Sequence, residues 1–253
     1  MDPLLDFTGK VAVITGAAQG FGKLLAEELA QRGAKLVLSD IDEAAVQQVA
    51  DAIAATGAKV FALKCDVAKS DDCKAMVDTA IEKFGQVDIG VNNAGMAHTF
   101  LRLHEIDESL MDQQFAVNVK GVQFCMRHQI AQMLTQGGGS ILNVSSMAGL
   151  FGAPLASAYG MAKHAVIGLT KTGAVEYGRH NIRINAICPF FTLTQMVTDI
   201  ADDKMQAKMS QAVPMKRLAE PKEVVAMMLM MLSPKNTYLT GQCIAIDGGV
   251  SVS

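Results

Sequence analysis

K-V-A-V-I-T-G-A-A-Q-G-F-G (Lys10–Gly22) decides the fold: a short run of small and branched apolar residues meets three glycines and then a helical pattern that continues to Arg32. The apolar run has the length and β-branching of a buried strand. Gly16, Gly20 and Gly22 free the backbone from the restriction a Cβ imposes, so it can pass close to a pyrophosphate, whose charge then meets the bare N–H groups of the helix start. Strand, glycine turn and helix in that order open a parallel sheet that binds a dinucleotide. Gly16, Gln19, Gly20, Phe21 and Gly22 are therefore candidate cofactor contacts.

The same alternation repeats downstream. Lys35 to Ser39 reads as a second strand ending at Asp40, and a helix from Glu43 to about Thr56 closes at Gly57. Val60 to Lys64 is a third strand running into Cys65-Asp66-Val67, followed by a helix from Asp71 to Phe84. Val87 to Val91 leads into Asn92-Asn93-Ala94-Gly95, and a long helix runs from Asp107 to about Gln132. Beyond Gln136-Gly-Gly-Gly139 a strand ends at Ser146, then come a helix from Ala156 to Tyr177 and a strand from Ile182 to Ile187. Gln195 to Ala212 reads as one or two mobile helices able to close over a ligand, Glu220 to Leu232 as a last helix, and Cys243 to Ile246 as a final strand. The expected fold class is α/β: one Rossmann-type domain over residues 1–253, a doubly wound parallel sheet of about seven strands with helices on both faces and a substrate-covering helical segment at about 190–215. Ligands in such sheets sit at the carboxyl ends of the strands.

Asp40, at the end of the second strand, can accept hydrogen bonds from both ribose hydroxyls of the adenosine and would repel a 2′-phosphate. No Arg or Lys occupies Ala17 to Gly20 or Ile41, so NAD is favoured over NADP. The competing reading makes Asp40 a cap for the helix that starts near Asp42. Asp66 is similarly open, as an adenine contact or as a helix cap, with Val67 beside it. The two amides Asn92 and Asn93 and Gly95 can brace the sheet and cross the cofactor ribose, with Asn92, Ala94 and Gly95 as candidate cofactor contacts, although turn chemistry explains the segment equally well.

Ser146, Tyr159 and Lys163 form the second centre of interest. A free phenol titrates near pH ~10, and its use as a base needs a neighbour that stabilises the phenolate. On a helix Tyr159 and Lys163 lie one turn apart on one face, which brings an ammonium beside the phenol. Ser146, leaving a strand end, would hydrogen-bond the substrate oxygen. Tyr followed four positions later by Lys is common by chance, and the pair gains weight only from the dinucleotide-binding pattern around it. Asn118, a polar residue on a largely apolar helical face, is either a satisfied amide or a functional group.

Half the residues are apolar, 19% are charged and the formal charge is −3, so there is no basic face for nucleic acid. The longest clearly apolar stretch, Val224 to Leu232, is far short of the ~20 residues that span a bilayer. Met1 to Thr8 lacks the basic start and apolar core of a secretory signal. Five widely spaced cysteines without C-x-x-C argue against a disulfide framework or a zinc site and fit a reducing cytoplasm.

Taken together the chain resembles the short-chain dehydrogenase/reductase family over essentially its whole length. The matching pieces are T-G-A-A-Q-G-F-G (Thr15–Gly22), Asp66-Val67, N-N-A-G (Asn92–Gly95), Asn118, Ser146, Y-G-M-A-K (Tyr159–Lys163), Pro189 with Thr194, and T-G-Q-C-I-A-I-D-G-G (Thr240–Gly249). The resemblance implies Tyr159 as catalytic acid or base, Lys163 lowering its pKa and holding the nicotinamide ribose, Ser146 orienting the substrate oxygen, and Asn118 anchoring a water in the proton relay. It also implies contacts from Thr192 and Thr194 to the carboxamide, no metal, and a homotetramer in which the Asp107–Gln132 and Tyr159–Tyr177 helices share an interface. Phe190 stands where the family usually has Gly, which predicts an altered loop if that position needs φ > 0. Gly90 replaces a branched residue before N-N-A-G and leaves space that a neighbour must fill.

The function expected is hydride transfer between NAD and a hydrophobic secondary alcohol or ketone, alicyclic, aromatic or steroid-like. Met96, His98, Leu150, Phe151, Phe190, Phe191 and Met196 are the expected pocket lining, mostly apolar, with His98 the one polar group able to read a substrate or else a surface loop residue. The S-S-M-A-G-L-F-G segment resembles bacterial hydroxysteroid and alicyclic-alcohol dehydrogenases. The alternatives are a 3-oxoacyl-thioester reductase, which generally resembles an NADP binder with a basic residue where Gln19 stands, and a dinucleotide-sensing protein on a retired enzyme scaffold.

Overall fold

Val11–Thr15 (β1) is buried along its whole length, as the central strand of a sheet covered on both faces must be. The structure, a computed structural model, describes residues 2–253. β2 (Lys35–Asp40), β3 (Val60–Lys64), β4 (Ile89–Asn92), β5 (Gly139–Val144), β6 (Ile182–Pro189) and β7 (Cys243–Ile246) complete a seven-stranded sheet in the order β3-β2-β1-β4-β5-β6-β7. Every pairing is parallel. The order reverses between β1 and β4, which parts the loops there and opens a crevice at the carboxyl ends.

Period-two alternation in β1 splits the core. Ala12 and Ile14 face the layer of α1 (Gly20–Gln31), α2 (Glu43–Ala54) and α9 (Pro221–Leu232). Val11 and Val13 face α3 (Ser70–Phe84), α5 (Gly121–Gln136) and α6 (Ser157–Tyr177). The doubly wound Rossmann-type fold expected from the alternation of strands and helices is the one observed.

One element differs from expectation, and another takes one of the two forms expected. The single helix read over Asp107–Gln132 is α4 (Glu108–Phe115), a π-turn at Ala116–Lys120, and α5, which runs on to Gln136 because Gly137, at φ 85°, is the first residue to supply a left-handed stop. The segment after β6 divides into α7 (Gln195–Thr198) and α8 (Asp203–Ala212), the latter capped by Asp202, whose side chain accepts from the Met205 N–H. No helix among the described residues is long and apolar enough to cross a membrane.

The space at Gly90 is filled by Gln129: a Cβ on Gly90 would fall 2.5 Å from the Gln129 amide. Gln129 exchanges hydrogen bonds with Asn92 (2.9 and 3.2 Å), Asn92 donates to Asn143 (2.8 Å), and Asn143 donates to Thr170 (2.9 Å). These four side chains are buried and tie α5, β4, β5 and α6 together under the site. Gly90→Val is expected to cost about 1–3 kcal/mol through overpacking. Combined with Gln129→Ala it should cost less than the sum of the two single changes, which urea titration of the double-mutant cycle measures.

Candidate active site

A cleft of about 950 Å³ lies at the carboxyl ends of β1, β2, β4, β5 and β6. Its first wall is the glycine turn. Gly16 and Gly20 are left-handed at φ 64° and 55°, and α1 starts with no side-chain cap and no acidic residue in its first turn. A Cβ on Gly16 would fall 2.8 Å from the Ala94 Cα, and one on Gly22 would collide with the Gly16 carbonyl oxygen. A turn closed to side chains at Gly16 and Gly22 and open at Gly20, beside bare helix N–H groups, fits a dinucleotide pyrophosphate. Gly16, Gln19, Gly20 and Phe21 line the cleft; Gly22 does not, and acts as the spacer that lets α1 approach the turn.

Asp40 and Ile41 line the same wall. Asp40 Oδ2 accepts from the Ala18 N–H at 3.0 Å and Oδ1 from the Asp42 N–H at 3.1 Å, so the carboxylate joins the end of β2 to the glycine turn. The cap of α2 is Asp42, which accepts from the Ala45 N–H. Asp66 and Val67 line the cleft too; Asp66 Oδ1 accepts from the Ala68 N–H, while the cap position of α3 is Lys69, so Asp66 does not cap that helix.

Asn92 is not in the cleft. It is spent in the buried amide network beneath, and its neighbour Asn93 does the bracing expected of it, donating to the carbonyls of Thr15 (3.0 Å) and Gly16 (2.9 Å). Thr15 Oγ1 accepts from the N–H groups of Asn93 and Ala94. Sequence reasoning counted Asn93 as one of two bracing amides and missed Thr15. Ala94 and Gly95 line the cleft as expected.

Ser146, Tyr159 and Lys163 meet in one place. Ser146 leaves β5, its hydroxyl accepting from the Ala148 N–H at 3.1 Å. Lys163 is 4% exposed, donates to the Val144 carbonyl at 2.9 Å, and lies 5.5 Å from the centroid of the Tyr159 ring. Burial pushes its ammonium down to about 8. Burial pushes the Tyr159 phenol up, with the Ser146 hydrogen bond acting the other way. The protein brings the pair together, but the phenol is raised rather than lowered, because desolvation outweighs the one hydrogen bond that favours its anion.

Asn118 is wholly buried and off the cleft wall. Its Oδ1 accepts from the Met96 N–H (3.0 Å), and its Nδ2 donates to the Met96 carbonyl and to Gln114 Oε1 (2.8 Å each). Sequence reasoning missed Gln114, a buried polar residue one turn upstream. A Cβ on Gly95 would fall 2.8 Å from Asn118 Oδ1 and 3.4 Å from Lys163 Nζ, so this glycine separates the two groups.

The outer half of the cleft is apolar. Met96, His98, Phe151, Phe190, Phe191 and Met196 line it; Leu150 does not, because it closes the short turn Met147–Gly149 with its N–H on the Met147 carbonyl. Phe190 is not among the residues at positive φ, so the loop carries no strain there; its N–H donates to the Ile246 carbonyl and its ring meets Phe191 edge-on at 4.7 Å. Pro189, Thr192 and Thr194 line the cleft beside it, and α7 adds Gln195 and Val197. Neither of the last two was expected, since no periodicity marks a four-residue helix.

The family model described as enoyl-(acyl carrier protein) reductase matches residues 16–251. A 2,5-dichloro-2,5-cyclohexadiene-1,4-diol dehydrogenase of Sphingobium indicum is 36% identical over 247 residues, covering 96% of this chain and 98% of that one. A cyclohexanol dehydrogenase of an Acinetobacter species is 38% identical over 242 residues, covering 96% and 95%. Among solved structures, a 7α-hydroxysteroid dehydrogenase complexed with NADH and 7-oxo glycochenodeoxycholic acid superimposes with a TM-score of 0.93 at 32% identity, covering 98% of this chain and 97% of that one.

Proposed function

Because the chain belongs to the short-chain dehydrogenase/reductase family, we propose that it interconverts an alicyclic secondary alcohol and its ketone with NAD. The observation that carries this reading is the placement of Ser146, Tyr159 and Lys163 between the glycine turn and an apolar pocket. When bound, the nicotinamide supplies the acceptor or donor of hydride at the carbinol carbon. The Tyr159 phenol takes the hydroxyl proton in oxidation and returns it in reduction, and the Ser146 hydroxyl holds the substrate oxygen beside it. Lys163, fixed on the Val144 carbonyl, would hold the nicotinamide ribose and favours the phenolate while it is charged. Phe151, Phe190 and Phe191 exclude water from the reacting carbon.

The relatives named for cyclohexane and cyclohexadiene alcohols support an alicyclic substrate. A screen of cyclic secondary alcohols, with 3-oxoacyl thioesters as the competing class, read by absorbance of the reduced nicotinamide, tests it. Turnover confined to the thioesters would refute the reading, and a Tyr159→Phe variant matching the wild type in every assay would point to a retired scaffold.

The titration of Tyr159 sets a pH dependence. Oxidation needs the phenolate, whose pKa is raised, so the oxidative kcat/KM rises toward alkaline pH, by up to about tenfold per unit. Reduction needs the neutral phenol and persists to higher pH than an ordinary tyrosine would allow. A flat oxidative profile from about pH 6 to about pH 10, with chemistry rate-limiting, counts against this role.

The chain works as a cytoplasmic homotetramer in this reading. Exposed apolar side chains on α5 and α6, Leu134 and Val175, support pairing of those helices between copies. Sedimentation of a monomer alone would refute it.

A further inference from the structure

Three buried side-chain polar atoms among the described residues meet no partner: His98 Nε2, Gln114 Nε2 and Ser157 Oγ. Of the three residues, His98 alone belongs to the wall of the cleft. It is 9% exposed, and its loop is pinned at both ends, by Asn118 on Met96 and by the Leu101 N–H on the Leu155 carbonyl at 2.9 Å. The ring therefore stays in the wall and does not retreat to solvent.

The chemistry of the missing partner follows from the other ring nitrogen. His98 Nδ1 lies 2.6 Å from the Thr99 carbonyl oxygen. A carbonyl only accepts, so Nδ1 carries the hydrogen, and in the neutral imidazole Nε2 is left with a lone pair. The nitrogen needs a donor. No protein group lies within hydrogen-bonding reach of Nε2 to supply one, although the cleft carries hydroxyls and an amide elsewhere, on Ser146, Tyr159, Thr192, Thr194 and Gln195. A buried acceptor without a donor is costly, and a ligand that supplies one is preferred over a ligand that does not.

We propose that His98 is a specificity-determining residue that accepts a hydrogen bond from a second hydroxyl on the substrate, so that the class preferred is an alicyclic diol over the corresponding mono-alcohol. This deepens the alcohol-oxidising reading above and rests on it. Ser146 and Tyr159 hold the reacting hydroxyl; His98 reads one elsewhere on the ring.

The test compares 1,4-cyclohexanediol, its mono-methyl ether and cyclohexanol in the wild type and in His98→Leu, with NAD. The ether keeps the size and polarity of the second group but cannot donate. In the wild type, kcat/KM for the diol should exceed that for either comparison compound by about tenfold or more, after the factor for two equivalent hydroxyls. In His98→Leu that ratio should collapse toward unity. A wild type without diol preference overturns the proposal, and so does a variant that loses activity on all three compounds in proportion. A second readout needs no turnover: with NADH bound and the histidines ¹⁵N-labelled, the His98 Nε2 resonance should move on adding the diol and stay with cyclohexanol. If none of the three is oxidised, the alcohol reading fails by itself, and an unmoved Nε2 resonance then overturns the subsite as well.

Discussion

Tyr159→Phe is expected to lower kcat/KM for alcohol oxidation by about 10²–10⁴-fold, the range that a positioned acid or base contributes. The substitution removes one oxygen from a partly buried ring and leaves the glycine turn, Asp40 and the Lys163 contact to Val144 untouched. Dinucleotide affinity, followed by quenching or enhancement of nicotinamide fluorescence, should therefore stay within a few fold while turnover collapses. The alkaline rise of the oxidative rate should flatten with loss of the hydroxyl, leaving at most the titration of Lys163, which burial brings down to about 8. Lys163 does not take the place of the phenol, because its ammonium is anchored on a strand-end carbonyl. A variant that kept more than about a tenth of wild-type kcat/KM would remove the phenol from the proton path.

Asp40 carries the second large effect. Its two oxygens accept from backbone N–H groups on both sides, Ala18 and Asp42, which hold the carboxylate in the cleft wall where the adenosine ribose would lie. A 2′-phosphate brought within about 4 Å of it would meet a repulsion of roughly 4 kcal/mol at an effective dielectric constant of about 20. The wild type is thus expected to use NAD at least about 10²-fold more efficiently than NADP, allowing for screening by water and counter-ions. Asp40→Asn should shrink the NAD-to-NADP ratio of kcat/KM by about 10²-fold. Part of that change will come from weaker use of NAD, since a single amide oxygen must replace two carboxylate oxygens in bracing the turn. A clear NADP preference in the wild type would overturn the reading of this residue.

Much of this architecture was legible in the chain because its signals are local. The β-branched runs, the glycines at Gly16 and Gly20, and the spacing of Tyr159 and Lys163 are patterns of neighbouring residues, and each is set by φ or by helical pitch. What escaped depends on pairs far apart in sequence. Asn92 and Asn93 are adjacent and chemically identical, and only the pleat of β4 decides that one enters the buried network while the other reaches the glycine turn. The neighbour that must fill the space at Gly90 is Gln129, and it lies on another element. Leu150 was expected in the pocket beside Phe151, and a single turn of helix takes it out. Phe190 was read through a glycine it replaces, yet its backbone follows the β6–β7 ladder and asks for nothing that glycine alone can give. Desolvation is the least local of all, which is why the direction of the Tyr159 shift could not be read from its helix.

The π-turn between α4 and α5 holds one residue more than an α-helix of the same rise would need. Deleting a single residue between Gln114 and Gly121 would let the two helices fuse into one regular rod. Everything on one side of the deletion would then rotate by about 100° relative to the other. The clasp on Met96 would open, and the loop that carries His98 would lose the anchor that aims it. Length in this segment is therefore under tighter constraint than composition: most single substitutions there leave the winding intact, whereas the loss of any one residue resets it.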